Sequence, residues 1–212
     1  MRIRPVGAHA LLIDCADADQ VEAWRAELWR RRERGELTAV EIVPAATTVL
    51  LDGVPDPATT AARIAAWPPR PGAPGGPTVA GAPAAAADLV EVPVMYDGED
   101  LALVADHWGV DVPTVVDRLR GTRFRVAFCG FAPGFAYLTG LPAELAVPRL
   151  PTPRPRVPAG SVALAGPYAG IYPAASPGGW LLVGRTDATL FDVHADPPAR
   201  LTPGTRVRLM AA

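Results

Sequence analysis

The chain has 212 residues, half of them hydrophobic and a fifth charged, with a formal net charge of −2. A chain of that length and make-up can bury a sizeable core, and it carries no basic field, which argues against nucleic acid as a partner. All 20 cationic side chains are arginine, and the missing lysine excludes a P-loop lysine, Schiff-base chemistry and a tethered biotin on this chain. The opening "MRIRPVGAHALLIDCADAD" does not read as a signal peptide, because its short apolar run is broken by His9 and Asp14. No stretch approaches a membrane span, so a cytoplasmic protein with no membrane partner is expected. Cys15 and Cys129 sit in apolar strand-like runs and read as buried free thiols.

In chain order, "AHALLIDC" reads as a strand and "DADQVEAWRAELWRRRERG" as a helix. Asp17 or Asp19 caps that helix, Val21, Trp24 and Leu28 keep helical spacing, and Gly35 follows the basic last turn. "LTAVEIVPAATTVLLDG" reads as two strands broken at Pro44 and Ala45, and "PDPATTAARIAAW" as a second helix that "PPRPG" ends. This order describes an α+β N-terminal domain over residues 1–67, a split β-α-β module of ferredoxin-like kind. Its arginine-rich helix face (Arg25, Arg30, Arg31, Arg32, Arg34) is expected to be solvated. Residues 68–87, "PPRPGAPGGPTVAGAPAAAA", are rich in Pro, Gly and Ala without periodicity and read as a linker. A second domain is expected over 88–212. There "DLVEVPVMYD" is a strand that either returns to the first sheet or opens the new domain, followed by two short helices in "GEDLALVADHWGV" and "DVPTVVDRLRG". From Phe124 onward, strands are broken every few residues by Gly and Pro, the pattern of a compact β-barrel or sandwich.

The segments "RVAFCGFAPGFAYLTGLP", "VPRLPTPRPRVPAGSVALAG", "GIYPAASPGGWLLVGRT" and "LFD" follow one another at a characteristic spacing. In that order they resemble the family of 5-oxoprolinase B subunits, also called allophanate hydrolase subunit 1 and histidine-kinase autophosphorylation inhibitor. The resemblance covers most of residues 90–209, and the N-terminal domain matches in layout. It implies a cyclophilin-like, carboxyltransferase-type β-barrel in the second half. It also implies a direct partner, the 5-oxoprolinase C subunit, which resembles allophanate hydrolase subunit 2, and a third component, the A subunit. Together these would open the lactam 5-oxo-L-proline to L-glutamate at the expense of ATP, bound at the complex interface or on the partner. No metal and no biotin attachment are implied on this chain. The same resemblance leaves two other readings: a module that docks on a sensor histidine kinase, and a component of a hydrolase or carboxyltransferase for allophanate or urea-type amides.

Candidate site residues fall in three stretches. In "FAPGFAYL", Pro133 and Gly134 force a turn while Phe131, Phe135 and Tyr137 supply apolar area, either a pocket wall or a core corner. In "PRLPTPRPRVPAGS", prolines stiffen a segment carrying Arg149, Arg154 and Arg156, which are either held toward an anion or partner or solvated. In "GIYPAASPGGWLLVGRT", Tyr172 and Ser176 offer hydroxyls, Gly178 and Gly179 let backbone amides approach an oxyanion, and Arg185 closes the element. This reads as a ligand or partner rim, the bland alternative being a glycine corner with Trp180 in the core. No serine-hydrolase elbow surrounds Ser161 or Ser176, and Asp192 with His194 makes only a weak acid–base pair. The chain departs from the family pattern at three positions, Leu119 for a histidine, Ala169 for a threonine and Thr205 for an acid.

Overall fold

The computed structural model describes residues 1–67 and 89–212, and the linker expected over 68–87 lies outside them. The chain divides into two compact units, Met1–Ala85 and Ala86–Ala212.

The first unit contains β1 (Arg2–Val6), β2 (Ala10–Asp14), α1 (Ala18–Glu33), β3 (Glu41–Pro44), β4 (Thr48–Asp52) and α2 (Pro57–Ala65). The strands form one sheet in the order β1-β2-β4-β3, each neighbour antiparallel. β2 and β3 therefore run parallel on either side of β4, with α1 as their crossover. Leu11, Ile13, Ile42, Val49 and Leu51 alternate along the strands and meet Val21, Trp24, Leu28 and Ile64 in one core. Both helices start as their sequences require: the Asp17 carboxylate accepts the Gln20 N–H at 2.8 Å and the Asp56 carboxylate accepts the Thr59 N–H at 3.0 Å. Gly35 follows α1 at φ 69°, a conformation that favours glycine.

Two expectations change here. β1 is a strand although "RIRPV" carries two arginines and a proline, because it lies at the sheet edge, where a proline has no ladder bond to break. The arginine face of α1 is not simply solvated. Arg25 is only 2% exposed and chelates Glu22 at 2.7 and 2.9 Å, Arg30 and Arg31 share Glu27, and Arg31 also lies over the Trp67 ring.

The second unit opens with β5 (Leu89–Val94), α3 (Leu101–Trp108) and α4 (Val112–Gly121), and continues with β6 (Phe124–Cys129) and β7 (Ala136–Thr139). Then come β8 (Arg154–Val157), β9 (Ser161–Ala165), β10 (Tyr168–Ile171), β11 (Ser176–Gly178), β12 (Leu181–Arg185) and β13 (Arg206–Ala211). Seven strands make one sheet in the order β12-β9-β10-β7-β6-β13-β5, with β5 parallel to β13. Just beyond β5, Met95 exchanges two backbone hydrogen bonds of 2.8 and 2.9 Å with Arg185 at the end of β12. The two edges of the sheet thus meet, giving a nearly closed barrel. Strand β5 belongs to this sheet and not to the first.

Strands β7, β9, β10 and β12 are covered on both faces. Leu138, Val162, Leu164, Ala169, Ile171, Leu181 and Val183 point into the barrel core with Leu119 and Leu101 of the helices. The alternate residues Ala163, Ala165 and Leu182 pack with Phe135, Val157, Tyr172 and Trp180 in a second cluster on the other face. This double cover explains why every residue of β9 is buried and the strand shows no alternation. The two-stranded ribbon β8–β11 contributes Val157 to the outer cluster.

Cys15 and Cys129 are free thiols, each half-buried rather than fully buried. Burial pushes the Cys129 thiol up to about 11, and its sulfur faces the Leu201 carbonyl at 3.3 Å. A thiol that holds its proton more tightly folded than unfolded contributes stability that is intact below about pH 8.5 and lost as pH rises through its folded value. Urea midpoints followed upward from roughly pH 8 should therefore fall less steeply in Cys129→Ala than in the wild type.

Candidate functional site

On the outer face of the sheet, a cavity of about 230 Å³ opens between β7, β10, the β11–β12 turn and the loop before β8. Its aromatic lining comes from three stretches of the sequence, 131–137, Tyr172 and Trp180. Phe135 packs edge-to-face on Tyr172 (5.2 Å between centroids), Trp180 (5.4 Å) and Tyr137 (5.1 Å), and Tyr137 also meets Trp180 at 5.5 Å. Gly170 makes this packing fit: a Cβ there would lie 3.0 Å from both the Phe135 and Trp180 rings.

Phe131 leans over the mouth, 5.3 Å from the Phe135 ring and 6.3 Å from Tyr172, yet is 63% exposed. It is the one non-glycine residue with positive φ among those described, at 69°. The Ala132 N–H donates to the Gly130 carbonyl at 2.8 Å, so Phe131 is the centre of a γ-turn in its strained form. A bulky side chain is thus held at a cost of order 1–3 kcal/mol while exposing its ring.

Arg149 stands at the same mouth, exposed, with its guanidinium carbon 6.0 Å from the Trp180 ring centroid. Among the described residues it forms no ion pair. Burial pushes the Tyr172 phenol above its ordinary value, opposed by a backbone interaction with Trp180 and by the charges of Arg149 and Arg154. Tyr172 is thus a neutral hydroxyl near neutral pH. That hydroxyl sits tight against the turn: a Cβ on Gly178 would fall 2.2 Å from it. Gly178→Ala should cost about 1–3 kcal/mol. Adding Tyr172→Phe should restore part of that loss, measured as a double-mutant cycle in urea.

The cavity brings together Phe131, Phe135, Tyr137, Arg149, Tyr172, Gly178 and Gly179 from the residues singled out in the sequence. It adds Pro153, Pro177 and Trp180, of which Trp180 is both core and wall. The other candidates stand elsewhere. Arg154 is engaged in an ion-pair network, with Asp100 at 2.8 Å and Glu99 at 2.7 Å, and does not line the cavity. Arg185 pairs with Asp97 at 2.9 Å and lines a different concavity with Met95 and Arg200. Arg156 is exposed on β8, Ser176 pairs with Val157 in the ribbon, and Pro133 and Gly134 shape the turn, Gly134 at φ 79° against Phe191. The Asp192 carboxylate accepts the His194 backbone N–H at 2.9 Å, a turn contact and not an acid–base pair. Leu119, Ala169 and Thr205, the three departures from the family pattern, are all buried and none lines the cavity.

Residues 1–201 match the family described as carboxyltransferase domain, subdomain C and D. The chain belongs to that family. It is 48% identical over 125 residues to the 5-oxoprolinase B subunit of Escherichia coli O157:H7, a match over 58% of this chain and 57% of that protein. It is 42% identical to the 5-oxoprolinase B subunit of Bacillus subtilis strain 168, over 58% of this chain and 52% of the relative. The matched region thus spans little more than half the length of these curated relatives. The crystal structure of TTHA0988 superposes on all of this chain and 40% of its own, with a TM-score of 0.73 at 32% identity. Among the described residues no helix is long and apolar enough to cross a membrane, and no group of three or more His, Cys, Asp and Glu side chains is placed to hold a metal ion.

Proposed function

We propose that the chain is one component of an ATP-dependent 5-oxoprolinase that opens 5-oxo-L-proline to L-glutamate in the cytoplasm, together with the A and C subunits of that enzyme. On this reading residues 1–67 are a ferredoxin-like module joined through 68–87 to a cyclophilin-like barrel over 88–212. The observation that carries it is Arg149, a guanidinium without an ion pair among the described residues, at the mouth of an aromatic-walled cavity. 5-Oxoproline is a small ring bearing one carboxylate, and the cavity offers one fork and flat apolar walls. At about 230 Å³ the cavity is smaller than the roughly 300–1,000 Å³ of drug-sized sites, which favours a small occupant.

Each residue then has a task. Arg149 holds the carboxylate, Phe135, Tyr137 and Trp180 flank the ring, and the Tyr172 hydroxyl is a neutral donor beside it. Phe131 leans over the mouth and packs on the bound ring. ATP, held at the complex interface or on a partner, would supply the activation that a lactam needs before water can open it: its γ-phosphoryl would pass to the carbonyl oxygen with release of ADP, and phosphate would leave once water has opened the ring. The test is ATP-dependent glutamate release from 5-oxoproline by this chain mixed with its two partner proteins. Release that requires all three proteins supports the assignment; a well-folded complex that releases none overturns it.

A further inference from the structure

The walls of the aromatic cavity differ in how they are held. Phe135, Tyr172 and Trp180 are 1%, 2% and 5% exposed and belong to the cluster on the outer face of the sheet. Their packing fixes the back of the cavity. Phe131 lines the same cavity but lies outside that cluster, 63% exposed. The fold covers little of its apolar area, so that area is left to a molecule in the cavity.

The exposed ring is nevertheless held in place. Residues 130–135 close on themselves: the Ala132 N–H donates to the Gly130 carbonyl at 2.8 Å, the Phe135 N–H to the Ala132 carbonyl at 3.0 Å and the Gly130 N–H to the Phe135 carbonyl at 3.2 Å. Gly134, at φ 79°, lets the loop lie against Phe191, where a Cβ would fall 2.5 Å from the Phe191 Cβ. Between them Phe131 is kept at φ 69°, a backbone that glycine adopts without strain and phenylalanine does not. A ring fixed in this way is ordered before a ligand arrives, so little ordering remains to be done on binding. Its plane stands at 74° to Phe135 and 84° to Tyr172, and Phe135 stands at 82° to Tyr172. The three planes form a corner. A rigid flat ring meets the face of one and the edges of the others at once. An open-chain amide must freeze its rotatable bonds to do the same.

We propose that Phe131 is the residue that makes the cavity selective for a small flat ring over an open-chain amide carrying the same carboxylate. This inference rests on the lactam reading and divides its recognition in two. Arg149 selects the carboxylate, and Phe131 selects the ring.

Titration calorimetry on the complex assembled with the A and C subunits tests it, without ATP and with two probes. One is 5-oxo-L-proline; the other is N-acetyl-L-alanine, which keeps the amide and the carboxylate but has no ring. The wild type is expected to bind 5-oxoproline at least tenfold more tightly than N-acetyl-L-alanine. Phe131→Gly should cut that preference to less than threefold by weakening 5-oxoproline, with N-acetyl-L-alanine changed less than twofold. The variant should still fold, with a melting temperature no lower than that of the wild type, because glycine takes the turn without strain and the lost ring is mostly exposed. Phe131→Tyr keeps the aromatic face and should keep the preference. Tight 5-oxoproline binding with a ring preference that survives in Phe131→Gly would overturn this inference and leave the lactam reading standing. Equal weakening of both probes in Phe131→Gly, or a loss in Phe131→Tyr as large as in Phe131→Gly, would do the same. A wild-type complex that binds neither probe would overturn the lactam reading and this inference with it.

Discussion

Arg154→Met is expected to lower the unfolding free energy of the second unit by about 3–5 kcal/mol. Arg154 reaches from β8 to Asp100, the residue just before α3, with both Asp100 oxygens at 2.8 Å. Asp100 is only 7% exposed, and its carboxylate also accepts the Leu182 N–H of β12 at 2.7 Å. That carboxylate does not cap its own helix. It ties the α3 start, the ribbon and the barrel edge to one charge. Removing the guanidinium leaves a buried carboxylate with only an amide for company, and an uncompensated buried charge is costly. The mechanism is distinguishable from simple loss of packing. Arg154→Met/Asp100→Asn removes the stranded charge and keeps an acceptor for Leu182, so urea melts should show most of the stability returning. If the double variant is no more stable than Arg154→Met, the charge is not the cause.

Arg149→Ala is expected to lower kcat/KM for 5-oxoproline in the assembled enzyme about 100-fold, roughly 2.7 kcal/mol of binding to the reacting molecule. Its stability should stay within about 0.5 kcal/mol of wild type, because the residue is exposed and forms no ion pair among the described residues. Arg149→Lys should recover only part of the loss, since a point charge cannot reproduce a planar fork. Steady-state kinetics beside a thermal melt separates these effects. An unfolded variant, or unchanged kinetics, would remove Arg149 from the site.

Much of the architecture was legible because it is local. The caps at Asp17 and Asp56 and the glycine after α1 each follow from a few neighbouring residues. The aromatic wall was legible as a motif, "FAPGFAYL", but not its closure by Trp180, whose role depends on which face of β12 is covered. The fate of the arginines was not legible. Arg154 and Asp100 are 54 residues apart, and Arg185 and Asp97 are 88 apart, so no local pattern shows that these guanidiniums are already spent. The "RFR" and "RVR" triplets carry alternating arginines in plain view. That they oppose one another depends on β6 pairing with β13, a non-local register. β1 is not legible in the sequence because Arg and Pro disfavour an interior strand, and only its edge position makes them tolerable.

On the proposed function, the aromatic cavity takes its ligand by the carboxylate. The most direct measurement compares binding of 5-oxoproline and 2-pyrrolidinone, the same lactam without that group, to the assembled complex carrying wild-type or Arg149→Ala chain. At least tenfold tighter binding of 5-oxoproline to the wild type, with no preference in the variant, is expected. Equal affinity for the two lactams in the wild type, or a preference that survives in Arg149→Ala, would contradict it.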